Sequence, residues 1–333
     1  MLGALTVAAK NSGGSLVTPF VAIFSRRALL VLAITFVGTP AFAQVDLTGI
    51  WRNYNHEDWM ERGGGSDPVD YLGIPLNDDG RERALSYNYS LLAQPEHQCG
   101  LNTPFYGFLD PFGNNIWTEF DPVTGKIIAY KIGAWLDKDM VAIWMDGRPH
   151  PSKDAFHSYS GFTTGEWQGD TLTTYTTHMK DGFLRRNAVS SSDQATMTMH
   201  ITRHGDLLTM TALVEDPVYL AEPYVLSHTW KLDPTLAMPA VPTPCEPIAE
   251  LPRLDKPGIV PHYLPGQNPF VNELTQMYNL PLSAVLGGPE TRYPEFRKKL
   301  TDYVPPPFCV RYCCGPNADG LNCIVDGSGR PQP

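Results

Sequence analysis

Acidic side chains are absent from the first 43 residues, although the whole chain carries 35 Asp and Glu against 25 Lys and Arg. The apolar run at 28–37 is only ten residues long, and a bilayer span takes about 20. With Arg26 and Arg27 before it and the small-x-small site Ala41-Phe42-Ala43 after it, the pattern predicts an export leader over 1–43 that is cleaved before Gln44. Other absences narrow the chemistry. There is no phosphate-binding P-loop, and no dinucleotide-binding glycine fingerprint follows a predicted strand. No C-x2-C chelate occurs, and "HSYSG" around Ser158 lacks the glycine that a nucleophile elbow needs before its serine. No cofactor is expected.

Removing Lys10, Arg26 and Arg27 with the leader takes the formal charge from −10 to −13. Such a surface repels nucleic acid and anionic membranes, so neither is expected as a partner once the leader is gone. No cysteine follows the cleavage site directly, which argues against a lipid anchor there, and "SRRALL" at 25–30 leaves twin-arginine export open beside ordinary secretion. Cys99, Cys245, Cys309, Cys313, Cys314 and Cys323 all lie in the exported part. An even count in an oxidising compartment favours disulfides. Adjacent Cys313 and Cys314 do not easily bridge each other. If the four tail cysteines pair among themselves, two connectivities remain, and Cys99 pairs with Cys245. The expected location is periplasmic or extracellular.

Short strands with period-two alternation dominate. After "VDLTGIWRNY" at the start come "NIWTEFD", "KIIAYKIGAW", "MVAIWM", "GFTTGEW", "TLTTYTTHM", "ATMTMHITRH", "LLTMTALVE" and "EPYVLSHTWKL". The short polar links Gln168-Gly169-Asp170 and Gly205-Asp206 are hairpin turns. In "TLTTYTTHM", alternation puts Leu172, Thr174, Thr176 and His178 on one face, with Tyr175 and Met179 on the other. A helix capped by Asn77 or Asp78 is inserted near 77–93. These elements predict a mainly β domain over 44–233, either a closed antiparallel barrel or a strongly curved meander sheet. Residues 234–333 form a Pro-rich extension, two short helices ("NELTQMYNL" and "PETRYPEFRKKLTDY") and the cysteine tail.

Gly49-Ile50-Trp51 resembles the G-x-W that opens a lipocalin, where the tryptophan closes one barrel end. The distance from Trp51 to Trp230 is similar to a lipocalin's length. Gly165-Glu166-Trp167 repeats the tripeptide, and the arginine that partners the lipocalin tryptophan is replaced, with Lys231 the nearest cation. More broadly, "DYLGIPLNDDGRERALSYNYSLLAQPEHQC", "IWMDGRPHP", "GEWQGDTL", "RRNAVSSSD" and "DPVYLAEPYV" resemble an abundant group of uncharacterised secreted bacterial proteins. That resemblance implies a secreted β-rich fold and assigns no catalytic residue.

An acidic protein gathers bases at 176–206. From His178 to His204 there are four Lys and Arg against two Asp, before any histidine protonates. One reading is a basic barrel mouth that holds a small amphipathic anion. Arg186 is its preferred anchor, because Arg185 and Arg186 in an extended segment point to opposite sides. His178 and His200 would flank the ligand's polar end, with Tyr175 or Trp167 against its apolar body. The plainer reading is a solvated loop with ion pairs to Asp181 and Asp193. His200 and His204 on a strand stand roughly 13 Å apart, too far for one metal ion, and no metal is expected.

"MDGRPHPSKDAFHSYSG" is a second candidate. Pro149 and Pro151 stiffen the backbone around His150, and Asp146, Arg148, His150 and His157 make an acid–base set for a lyase, isomerase or hydrolase. The plainer reading is turn chemistry at Asp146-Gly147. Trp117, Trp135, Trp144, Trp167, Tyr175 and Trp230 supply either a ligand pocket or simple core. Convergence of His150, His178 and His200 at one barrel mouth would favour an enzyme; scatter would leave binding or a structural role.

Overall fold

The computed structural model describes residues 45–54, 68–71, 73–88, 103–107, 113–134, 141–185, 187–235 and 262–303. The expected leader at 1–43, all six cysteines, Trp135 and Arg186 lie outside the described residues. The described residues form eleven strands: β1 (Gly49–Asn53), β2 (Asn114–Phe120), β3 (Ile127–Ala134), β4 (Val141–Trp144), β5 (Phe162–Gln168), β6 (Thr171–Thr177), β7 (Gly182–Arg185), β8 (Val189–Ser191), β9 (Thr196–His204), β10 (Leu207–Glu215) and β11 (Tyr224–Leu232). Nine of them close a barrel in the order β1-β11-β10-β9-β6-β5-β4-β3-β2, while β7 and β8 pair separately. Both barrel neighbours of β1 are in register, with Trp51 opposite Leu232 on one side and Asn114 on the other.

Nine strands cannot all be antiparallel in a closed ring. Direction alternates from neighbour to neighbour, so an odd number leaves one pair pointing the same way. That pair is β4 and β5, joined only through Ile143↔Thr163 and Trp144↔Thr164. The other barrel pairs are antiparallel. Two parallel strands cannot be joined by a tight hairpin; the chain must first travel back along the barrel. Residues 145–161 make that return as a strap on the outer wall.

Alternation fills the interior. Leu172, Thr174 and Thr176 of β6, Met197, Met199 and Ile201 of β9, and Leu208, Met210, Ala212 and Val214 of β10 are buried, as are Trp51 and Trp230. Each large apolar side chain so placed contributes about 1.5–3 kcal/mol over exposure. Strand β6 ends at Thr177 because His178 takes left-handed backbone, φ 57°. This corrects the expected face: the His178 ring bonds on the outer wall instead of following Thr176 inward.

Trp51 donates its indole N–H to Leu47 O at 3.0 Å, and the Arg203 guanidinium lies 5.2 Å from its ring centroid. Arg203 also donates to Asp46 O and Gly205 O. The cation over Trp51 is therefore Arg203, at the end of β9, and not Lys231, which alternation turns outward between Trp230 and Leu232.

The expected insertion begins as α1 (Asp78–Ser86), with Asn77 as its cap: Asn77 Oδ1 accepts from Gly80 N at 2.8 Å. Asn77 Nδ2 donates to Val218 O at 2.9 Å, which ties the helix to the β10–β11 loop. A short turn of helix, α2 (Pro104–Gly107), precedes β2. Of the two later helices, the first is α3 (Phe270–Tyr278), stopped by left-handed Asn279, and α4 (Leu282–Val285) follows it. The second is split into a 3-10 turn (Pro289–Arg292) and α5 (Pro294–Arg297). Pro294 supplies no N–H and forces Tyr293 into extended backbone.

Candidate functional site

The bases of 176–206 do not form one cluster. Arg185 is buried, 4% exposed, in the small β7–β8 sheet. Lys180 sits 4.9 Å from the Tyr159 ring centroid. Arg203 caps Trp51. His200 is exposed on the outer wall, bonded to Thr173 Oγ1 at 3.1 Å.

His150 and His178 do come together, with His157, on the outside of β5 and β6. His150 Nε2 meets Thr164 Oγ1 at 2.9 Å and its Nδ1 meets Thr177 Oγ1 at 2.8 Å. Thr177 Oγ1 also lies 2.7 Å from His178 Nδ1, and His178 Nε2 lies 2.8 Å from Ser152 O. A carbonyl only accepts, so His178 Nε2 carries a proton. With both rings neutral, one orientation satisfies the whole chain. The Thr164 hydroxyl donates to His150 Nε2, His150 Nδ1–H donates to Thr177 Oγ1, Thr177 O–H donates to His178 Nδ1, and His178 Nε2–H donates to Ser152 O. Phe162 and Tyr175 pack against the His150 ring at centroid distances of 5.1 and 5.2 Å.

His157 stands 5.2 Å from His178 and donates to Met179 O at 2.8 Å. Beside it, Ser158 N donates to His178 O and Lys180 N to Ser158 O, so the strap's end pairs with the chain leaving β6. Burial holds the His150 imidazole below the usual histidine value, and the neighbouring titratable His178 acts in the same direction. Both nitrogens of His150 and of His178 are engaged in fastening the strap.

Asp146 and Arg148 form their own unit. Arg148 Nε and Nη2 donate to the Asp146 carboxylate at 2.8 and 2.5 Å, and the guanidinium lies 3.6 Å from the Trp144 ring centroid. The Arg148 hydrogen bonds hold the Asp146 carboxyl below the usual carboxylate range. Arg148 N also donates to Asp146 Oδ1 at 3.3 Å, a backbone bond across the Asp146-Gly147 turn, and His150 bonds elsewhere.

Trp167 and Tyr175 fall on opposite sides of the wall. Trp167 faces inward, edge-on to buried Tyr130 at 6.3 Å. Burial raises the Tyr130 hydroxyl pKa, the Asp46 carboxylate adds to this, and the Trp167 indole opposes it. Tyr175 is 43% exposed.

The interior holds a polar group that the sequence reading passed over. Asn53 pairs with Trp230 across β1 and β11, and Trp230 and His228 are alternate residues of β11, so all three share the inward face. His228 is 4% exposed and stacks on Trp230 with centroids 4.1 Å apart and planes 13° from parallel. Its Nε2 donates to Asn53 Oδ1. Asn53 Nδ2, Trp230 Nε1 and, on β6, Thr174 Oγ1 are buried without a hydrogen-bond partner among the described residues. The available signal was alternation from Trp230, which places His228 inside. Among the described residues, no group of three or more His, Cys, Asp or Glu is arranged to hold a metal. Neither the known protein families nor the curated proteins contain a match to this chain.

Proposed function

We propose that the protein is an exported barrel that binds a small amphipathic molecule inside, with the ligand's carboxylate or carbonyl group facing Trp230 and Asn53. The observation that carries this reading is the pair of buried inward donors, Trp230 Nε1 and Asn53 Nδ2, that have no acceptor among the described residues. Orphaned buried donors cost about 1–3 kcal/mol each, and native proteins rarely leave them so. A ligand oxygen satisfies both. Methionines 197, 199 and 210 with Ile201 and Leu208 give an adaptable apolar lining for the rest of the molecule. An export leader and six cysteines beyond it support a place outside the cytoplasm.

The test is titration calorimetry against a panel of small carboxylates and medium-chain fatty acids. Trp230→Phe keeps the stack on His228 and removes the N–H. It is expected to weaken binding by roughly tenfold to a hundredfold, as loss of a hydrogen bond to a charged group does, with the melting temperature nearly unchanged. Equal affinity of a folded Trp230→Phe variant, or no binding by any member of the panel, refutes the reading.

A further inference from the structure

We infer that the His150–Thr177–His178 chain is an acid-sensitive clasp that holds the strap at 145–161 to the barrel when both rings are neutral and releases it when a ring gains a proton. The argument is a count of protons. Thr177 Oγ1 lies between two ring nitrogens, at 2.8 and 2.7 Å, and its one hydrogen is already given to His178. A further proton on His178 Nδ1 directs a second N–H at the same oxygen and leaves the threonine hydrogen without its acceptor. A further proton on His150 Nε2 confronts the hydroxyl hydrogen of Thr164 in the same way.

Among the described residues no carboxylate is bonded to these rings. The strap carries Asp154, which is paired with Lys153, and Asp146, which is held by Arg148. The outer face of β5 offers Glu166 and that of β6 offers Tyr175, while β9 offers His200, bonded to Thr173. Beyond β6 come Lys180, over Tyr159, and Asp181. The titratable group acting on His150 is His178 itself, and His157 stands beside His178. Because the His150 value is lowered in the closed state, closure is fully favoured above the free imidazole value of about 6.5 and is lost as pH falls below it. The strap is also the covalent link across the β4–β5 seam, which pairs through only two residues of each strand. Its release loosens the barrel at its shortest ladder.

The experiment is amide exchange at Ser158 and Lys180, whose N–H groups close the strap onto the end of β6. Rates are corrected for intrinsic pH dependence and referenced to β9–β10 amides. Holding one ring neutral when closed predicts a rise in opening of up to about tenfold between pH 7.5 and 5.5, the ceiling set by a free imidazole value near 6.5. His150→Gln should flatten that rise. Nitrogen-15 spectra of the wild-type histidines provide a readout that needs no variant: Nδ1–H on His150 and Nε2–H on His178 at pH 7.5, changing together with the exchange rate. A flat exchange ratio in the wild type, the opposite tautomers, or an undiminished rise in His150→Gln overturns the clasp.

Discussion

Removing the Asp216 carboxylate should cost more stability than any surface substitution in this chain. Asp216 is 3% exposed and follows β10 at the start of the loop to β11. Its side chain accepts four hydrogen bonds: from Ser192 N at 2.7 Å, Ser192 Oγ at 2.8 Å, Val218 N at 2.9 Å and Tyr219 N at 3.2 Å. The carboxylate therefore joins the β8–β9 corner to the β10–β11 loop, and Tyr219 O in turn accepts from Asn77 N before α1. A hydrogen bond to a charged group is worth about 1.5–3 kcal/mol, but the four share one acceptor group and are not additive. Asp216→Ala strands three backbone N–H groups and should cost about 4 kcal/mol, a large part of a typical 5–15 kcal/mol. Asp216→Asn keeps one acceptor oxygen and should cost about 2 kcal/mol. Urea unfolding reads both as a lower midpoint at unchanged slope. Adding Ser192→Ala to Asp216→Ala should bring less than its single effect. A loss under about 1 kcal/mol for Asp216→Ala would show that these amides find other acceptors and that the knot does not hold the corner.

Two further expectations concern the barrel wall and the mature chain. A methyl group at Gly165 would lie 2.6 Å from Ile143 Cγ2 and 2.9 Å from Met145 Sδ, so Gly165→Ala should destabilise by about 1–3 kcal/mol through overpacking, measured by thermal melting; a neutral result would mean the seam gives way freely. Exported protein should have an intact mass that begins at Gln44 and, in non-reducing peptide maps, three disulfides including Cys99–Cys245; a retained apolar segment or six free thiols would refute the export reading.

Strand positions were legible because one inward face per strand leaves a period-two trace, clear in Met197, Met199 and Ile201. Strand direction leaves no such trace. Alternation reads the same for parallel and antiparallel neighbours, so the β4–β5 seam and the strap's path followed only from counting the closed ring. His178 was given the wrong face because alternation presumes extended backbone, and one left-handed residue resets the phase. Arg203 was missed as the cation over Trp51 because the pair is far apart in sequence and meets only when the ring closes. The loop at 146–157 is read from the sequence as one acid–base set, but His150 and His157 lie with His178 on the outer wall while Asp146 and Arg148 pair with each other, and Asn53 and His228 on the inward face attracted no notice. Neither carries an unusual local pattern; what marks them is burial, which a single sequence does not print.

Pairing of β1 with β11 has a kinetic consequence. Trp51 meets Leu232, so the ring cannot close until nearly all the barrel sequence is available. The hairpins β2–β3, β5–β6 and β9–β10 join neighbours in the chain and can form early, whereas β1 must wait for the last strand. Folding rates fall as contacts become more distant in sequence. A chain emerging from its N-terminus therefore stays open, with Trp51 unburied, until residue 232 arrives, and the final step of folding is the one that seals the interior.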